Sequence, residues 1–125
     1  MTALDSDRVR RAPAPSEESI HRAVVQYIER AVRPGVFWFH VPNGGARHRA
    51  EGGKLKAHGA RAGVPDLIFV KDGRCCGLEL KTECGRVSTA QQAAHTGLMM
   101  AGAEVDVAYG LDEAIEQLKA WGITR

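Results

Sequence analysis

Asp66, Glu79 and Lys81 are the residues of this 125-residue chain whose types and spacing can do chemistry together. In Leu78-Glu79-Leu80-Lys81, strand alternation puts Leu78 and Leu80 on one face and Glu79 and Lys81 on the other. Asp66 opens the preceding apolar run, directly after Gly63-Val64-Pro65, and the Asp72-Gly73 hairpin signal separates the two runs. A tight hairpin returns Asp66 and the Glu79–Lys81 stretch to the same open end of a sheet. Two carboxylates there can hold a hard cation, and the backbone carbonyl of Leu80 can add a ligand. A cation so held neutralises a phosphate ester's oxygen charge and carries an attacking water. A lysine beside it orients or helps deprotonate that water and offsets the developing charge. Magnesium keeps several of its waters, so few protein ligands suffice. The spacing alone leaves a second reading open, with Glu79 and Lys81 as an exposed cross-strand charge pair and Asp66 as a turn residue after Pro65.

The elements that must position these groups follow from periodicity and capping. Ser16 is an N-cap ahead of Glu17 and Glu18, whose charges suit a helix N-terminus. Ile20, Val24, Ile28 and Ala31 then recur at helical spacing until Pro34-Gly35. On that spacing Glu17 falls on the core-facing stripe and Glu18 on the wet flank. Val36 to Val41 is aromatic and β-branched, a strand closed by Pro42-Asn43-Gly44-Gly45. Asp66 to Val70 and Cys75 to Lys81 form the antiparallel hairpin. Ser88 opens a helix ending near Gly102, with Ala93, Ala94, Leu98 and Met99 among its apolar positions. Glu104 to Tyr109 is a strand and Leu111 to Trp121 a final amphipathic helix. The order α-β-β-β-α-β-α predicts an α/β fold with a mixed sheet flanked by helices.

Between the first two strands runs a long Gly-rich connection, Asn43 to Pro65, part of which (around Glu51 to Ala60) can be helical. Loops of that length in a compact domain are usually functional or mobile. It carries Arg47, Arg49, Lys54, Lys56 and Arg61 against the single acid Glu51, a local excess that the overall net charge of +2 conceals. Such a loop suits the phosphate backbone of a nucleic acid, although solvated loop charges look the same in a sequence. Asn43 is either a substrate contact or a turn asparagine before Gly44-Gly45. His40, His48 and His58 show no metal-ligand spacing; His48 and His58 can reach phosphate.

Composition bounds the rest. At 44% hydrophobic and 26% charged residues the chain suits one globular domain, residues 16–125, behind a flexible tail, residues 1–15. No apolar run approaches the roughly 20 residues that span a bilayer. The first fifteen residues carry charges where a secretion signal would be apolar, so a cytoplasmic protein without membrane partners is expected. Cys75, Cys76 and Cys84 match no zinc spacing and read as reduced, strand-packing thiols.

Taken together, Gly63-Val64-Pro65-Asp66, Glu79-Leu80-Lys81, Gly85 and Ser88-Thr89-Ala90-Gln91 resemble the VRR-NUC (virus-type replication-repair nuclease) pattern. That family belongs to the PD-(D/E)xK restriction-endonuclease-like superfamily. Glu17-Glu18-Ser19-Ile20 and Asn43-Gly44-Gly45 fit the same pattern in the same order, and the resemblance runs from Ser16 to Trp121. It implies a restriction-endonuclease-like core and a stand-alone nuclease domain of the bacteriophage type, acting in the host cytoplasm. Asp66 and Glu79 would be the principal metal ligands, with Lys81 activating water. A first-helix acid would complete the site, Glu17 in preference to Glu18. Gln91 falls where the family has a glutamine facing the active site, and Ser88 to Gln91 is equally a capping box.

The activity implied is a magnesium-dependent DNA endonuclease, manganese substituting, that leaves 5′-phosphate and 3′-hydroxyl ends. Branched DNA such as a four-way junction is the expected substrate. One site per chain implies a homodimer, since cutting two strands symmetrically needs two sites. The competing expectation is a DNA-binding module on the same fold that does not cleave.

Overall fold

The computed structural model describes residues 13–42 and 52–125. Eight elements follow in order: α1 Glu17–Ala31, β1 Phe37–His40, α2 Gly52–Ala57, β2 Leu67–Lys71, β3 Arg74–Lys81, α3 Thr89–Met100, β4 Glu104–Tyr109 and α4 Leu111–Ala120. The order is that expected from the sequence, with the short α2 inside the long connection. Residues 13–15 are exposed and without regular structure.

Local chemistry accounts for the boundaries. Ser16 caps α1 by accepting from the Ser19 backbone N–H at 3.1 Å. Ser88 and Gln91 form the reciprocal capping box that starts α3. Asp72 and Gly73 both take positive φ, +51° and +75°, in the two-residue turn that pairs Lys71 with Arg74.

The sheet has the order β1-β2-β3-β4, antiparallel except for the parallel β3–β4 pair, across which α3 forms the crossover. α1 and α4 cover one face. Ile20, Val24 and Ile28 of α1 and Ala114 and Leu118 of α4 pack with Leu67, Phe69, Cys76, Leu78, Leu80 and Ala108 of the sheet. At about 25 cal/mol per Å² of apolar surface, this single cluster is the main source of stability. α3 lies on the opposite face, so β3 is buried on both sides from Cys76 to Lys81. That burial removes the exposed cross-strand pair as an account of Glu79 and Lys81, which are only 2% and 8% exposed.

Two expectations need correction. The inward face of α3 is not the apolar set anticipated: Ala93 and Met99 are exposed, and Gln91, Ala94, His95 and Leu98 turn inward. The site it covers is charged, and polar side chains are what satisfy it. Cys84 is exposed in a turn, not strand-packed like Cys76; all three cysteines are free thiols.

Candidate active site

The site lies where β2 begins and β3 runs on past it. Leu67 pairs with Leu78, the last rung of that ladder, so the backbone of Leu80 has no strand partner on the β2 side. Asp66 fills the gap: its Oδ2 accepts the Leu80 N–H at 2.8 Å. In a strand the N–H and C=O of one residue point the same way, so the Leu80 carbonyl faces this gap too. Val41 N–H donates to the Asp66 carbonyl at 2.8 Å, tying the end of β1 to the same point.

The glycines and proline of the motif explain the placement. Pro65 is fully buried against Gly77, where a Cβ would lie 2.8 Å from the proline Cγ. Gly63 has φ +82°, and a Cβ there would strike the Ala90 carbonyl and come within 2.7 Å of the Gln91 nitrogen. The turn before Asp66 is thus wedged under the first turn of α3. Gly85 leaves room for the Lys81 stem, a Cβ there coming within 3.2 Å of Lys81 Cβ.

Glu79 is the most constrained group. Gln91 Nε2 donates to its Oε2 at 3.3 Å, and His95 Nε2 lies 3.3 Å from its Oε1. Burial pushes its pKa from 4.5 up to about 9, helped by a hydrogen bond to Asp66 and by the Asp66 and Glu17 charges, with Lys81 opposing. Burial therefore favours the protonated form of Glu79 at neutral pH. Burial also lowers the pKa of His95, leaving it neutral near pH 7. Gln91 serves two partners, its Oε1 accepting from the Ser88 N–H at 2.8 Å while its amide NH2 reaches Glu79. The Lys81 carbonyl accepts from the Gly110 N–H at 2.9 Å, while its ammonium makes no hydrogen bond or ion pair among the described residues.

Beside this pair opens a cleft of about 360 Å³ lined by Glu17, Glu18, His21, Arg22, His40, Asp66 and Leu80. Both helix acids are exposed and line the cleft, so Glu17 is not on the buried stripe expected of it, and they differ in partner instead. Glu17 acts on Glu79 through its charge, whereas Glu18 is ion-paired with Arg22 at 3.0 Å in solvent. His21 and His40 meet edge to face, ring centroids 5.2 Å apart.

An oxygen-only set of two carboxylates, a free backbone carbonyl and a cleft-side glutamate suits a hard divalent cation. A buried glutamate held protonated beside the half-buried Asp66 is the arrangement such a cation relieves, by displacing the proton from Glu79. Among the described residues no three His, Cys, Asp or Glu side chains already converge as a metal cage. The protein would therefore supply few ligands and leave the remainder to water, as magnesium prefers.

Of the residues anticipated from the sequence, Asp66, Glu79, Leu80, Lys81, Gln91 and Glu17 gather at this end of the sheet. Lys54, Lys56 and Arg61 are exposed and do not line the cleft. Asn43, Arg47 and Arg49, like residues 1–12 of the tail, lie outside the described residues. His95, His21 and Arg22 were not anticipated. The signal for His95 is its place four residues after Gln91 on one helix face; for His21, its place four after Glu17.

The architecture is that of VRR_NUC domains. A solved structure described as a VRR_NUC domain protein superposes with a TM-score of 0.73 at 22% identity, over 90% of this chain and 93% of its own. A second, described as a VRR_NUC domain, gives 0.59 at 17% identity, over 86% and 99%. No protein-family model matches the sequence, and no curated protein matches it either. The mixed α/β fold with its α-β-β-β-α-β-α order is therefore shared with these VRR_NUC domains. Among the described residues no helix is long and apolar enough to cross a membrane.

Proposed function

We propose that this chain is a divalent-metal-dependent DNA endonuclease of the VRR-NUC family, one nuclease domain over residues 16–125 that hydrolyses phosphodiester bonds. The observation that carries the reading is the gathering of Asp66, bonded to the Leu80 N–H, the buried Glu79 and Lys81 at the open sheet end of a VRR_NUC-type fold. A DNA-binding surface has no use for two acids pressed together beside phosphate; a cation site has.

In this reading Asp66, Glu79 and the Leu80 carbonyl would hold magnesium or manganese, with Glu17 reaching it across the cleft. When bound, the cation supplies charge neutralisation and an acidified water. Lys81 orients that water and offsets charge on the phosphate. Gln91 holds one oxygen of Glu79 in place. Asn43, Arg47, Arg49, Lys54, Lys56 and Arg61 would follow the DNA backbone, making affinity fall steeply with salt. A branched duplex such as a four-way junction is the proposed substrate and a homodimer the proposed assembly.

The test is cleavage of labelled linear duplex, single strand, flap, fork and four-way junction in magnesium, manganese or EDTA. Metal-dependent cutting is expected, and Lys81→Ala should lose it by about 10²-fold or more, the scale of general acid–base catalysis. DNA binding by that variant should stay within a few-fold of the parent. Tight binding without cutting of any substrate by the parent would instead assign the non-cleaving module.

A further inference from the structure

The proposed chemistry does not by itself call for His95. It is 6% exposed, the most buried residue of α3, and a buried imidazole needs a partner. Its partner is Glu79 Oε1, at 3.3 Å. Gln91, one turn earlier on the same face, takes Oε2, so α3 holds both oxygens of one carboxylate with two side chains four residues apart. Each carboxylate oxygen has two lone-pair directions, and one hydrogen bond leaves the other free. A glutamate fixed this way has already lost the rotamer freedom that a ligand would otherwise have to freeze.

Resting on the reading of Asp66 and Glu79 as a cation site, we infer that His95 is a positioning residue. Its Nε2–H is donated to Glu79 Oε1 and, with the Gln91 amide, sets the plane of the carboxylate so that its free lone pairs face Asp66 and the Leu80 carbonyl. A cation-binding imidazole is a different role: the Nε2 of His95 is taken by Glu79, and His95 does not line the cleft. A filler of the space under α3 is also different, because a filler has no need of an N–H at one defined reach.

The experiment compares His95→Gln, whose amide N–H reaches as far as Nε2, with His95→Asn, one methylene too short. Manganese binding to the DNA-free full chain is read by electron paramagnetic resonance, and kcat and KM for cleavage are measured separately. Supporting residues around metal ligands typically contribute 10- to 100-fold to affinity or activity. Accordingly, His95→Asn should weaken manganese binding at least tenfold and lower kcat with KM for DNA unchanged, and His95→Gln should recover most of both. Equal manganese affinity in Asn and parent, or equal loss in Asn and Gln, overturns the inference. Should His95→Asn fail to fold, His95→Gln decides alone: near-parent affinity supports the role and a tenfold loss overturns it. Failure of the underlying reading looks different, since the parent itself would then bind no manganese, as Asp66→Ala is expected to.

Discussion

Glu79 carries the largest electrostatic cost at the residue scale. Its folded pKa of about 9 lies above its ordinary 4.5, so its contribution to stability is fully present below pH 4.5 and is lost as pH rises toward 9. In metal-free buffer, Glu79→Gln removes that loss while keeping the shape and one acceptor for Gln91. It should melt at the parent's temperature near pH 4 and above it at pH 7–8. The gain is of order 1–3 kcal/mol, several degrees for a domain of this size. Calorimetry in EDTA across that range is the check; a variant less stable at pH 8 would mean that the charge is not what burial penalises. The same variant should lose metal binding, so stability and function pull Glu79 in opposite directions. The two helix acids separate by the same logic. Glu17, whose charge acts on Glu79, should cost about tenfold or more in cleavage when changed to Gln, and Glu18, paired with Arg22 in solvent, about twofold or less. Equal, full activity in both would mean that α1 contributes nothing to the site.

At the scale of elements, the site is a joint between the turn before β2, the end of β3 and the first turn of α3. Gly63 is its tightest contact, in a left-handed conformation and against the backbone of Ala90 and Gln91. Gly63→Ala combines about 1–2 kcal/mol of left-handed strain with a collision that only a shift of α3 relieves. The expected result is a melting temperature lowered by roughly 5–10 °C, with cleavage reduced further than that loss of folded protein explains. Thermal melts beside activity at 20 °C would show it; a neutral substitution would mean that α3 is free to move without disturbing Glu79. The capping box had been legible as a helix start, and Gln91 had two readings open. The structure gives that amide both contacts, its oxygen turned to Ser88 and its nitrogen to Glu79.

At the scale of the whole molecule, the sheet face shared by Glu79 and Lys81 continues onto β2 and β1, where α3 does not extend. Phe37, Phe39 and Val70 are 71%, 44% and 39% exposed there. Paired cross-strand at Phe37 and Val70, they form a continuous apolar surface. Symmetric cutting of two strands needs a second copy, and a second copy is what we expect to cover this face. The parent should sediment as a dimer and the double variant Phe37→Ser, Phe39→Ser as a monomer. A parent that sediments as a monomer with and without DNA would remove the dimer.

The local parts of this protein were settled by sequence alone. Ser16, Asp72-Gly73 and Ser88 with Gln91 end or start elements through bonds within four residues of themselves, so no distant contact is needed to read them. Period-two alternation likewise placed Glu79 and Lys81 together on one face of β3 before any partner was known. Alternation says which residues share a face and nothing about what lies against it. That β3 is buried on both sides, that burial therefore raises the pKa of Glu79, and that His95 supports it were decided only by tertiary packing. Hydrophobic periodicity misled on α3 for the same reason: a helix over a buried charge turns its polar side chains inward, because desolvating a carboxylate without partners costs more than exposing Met99 and Met100 to water.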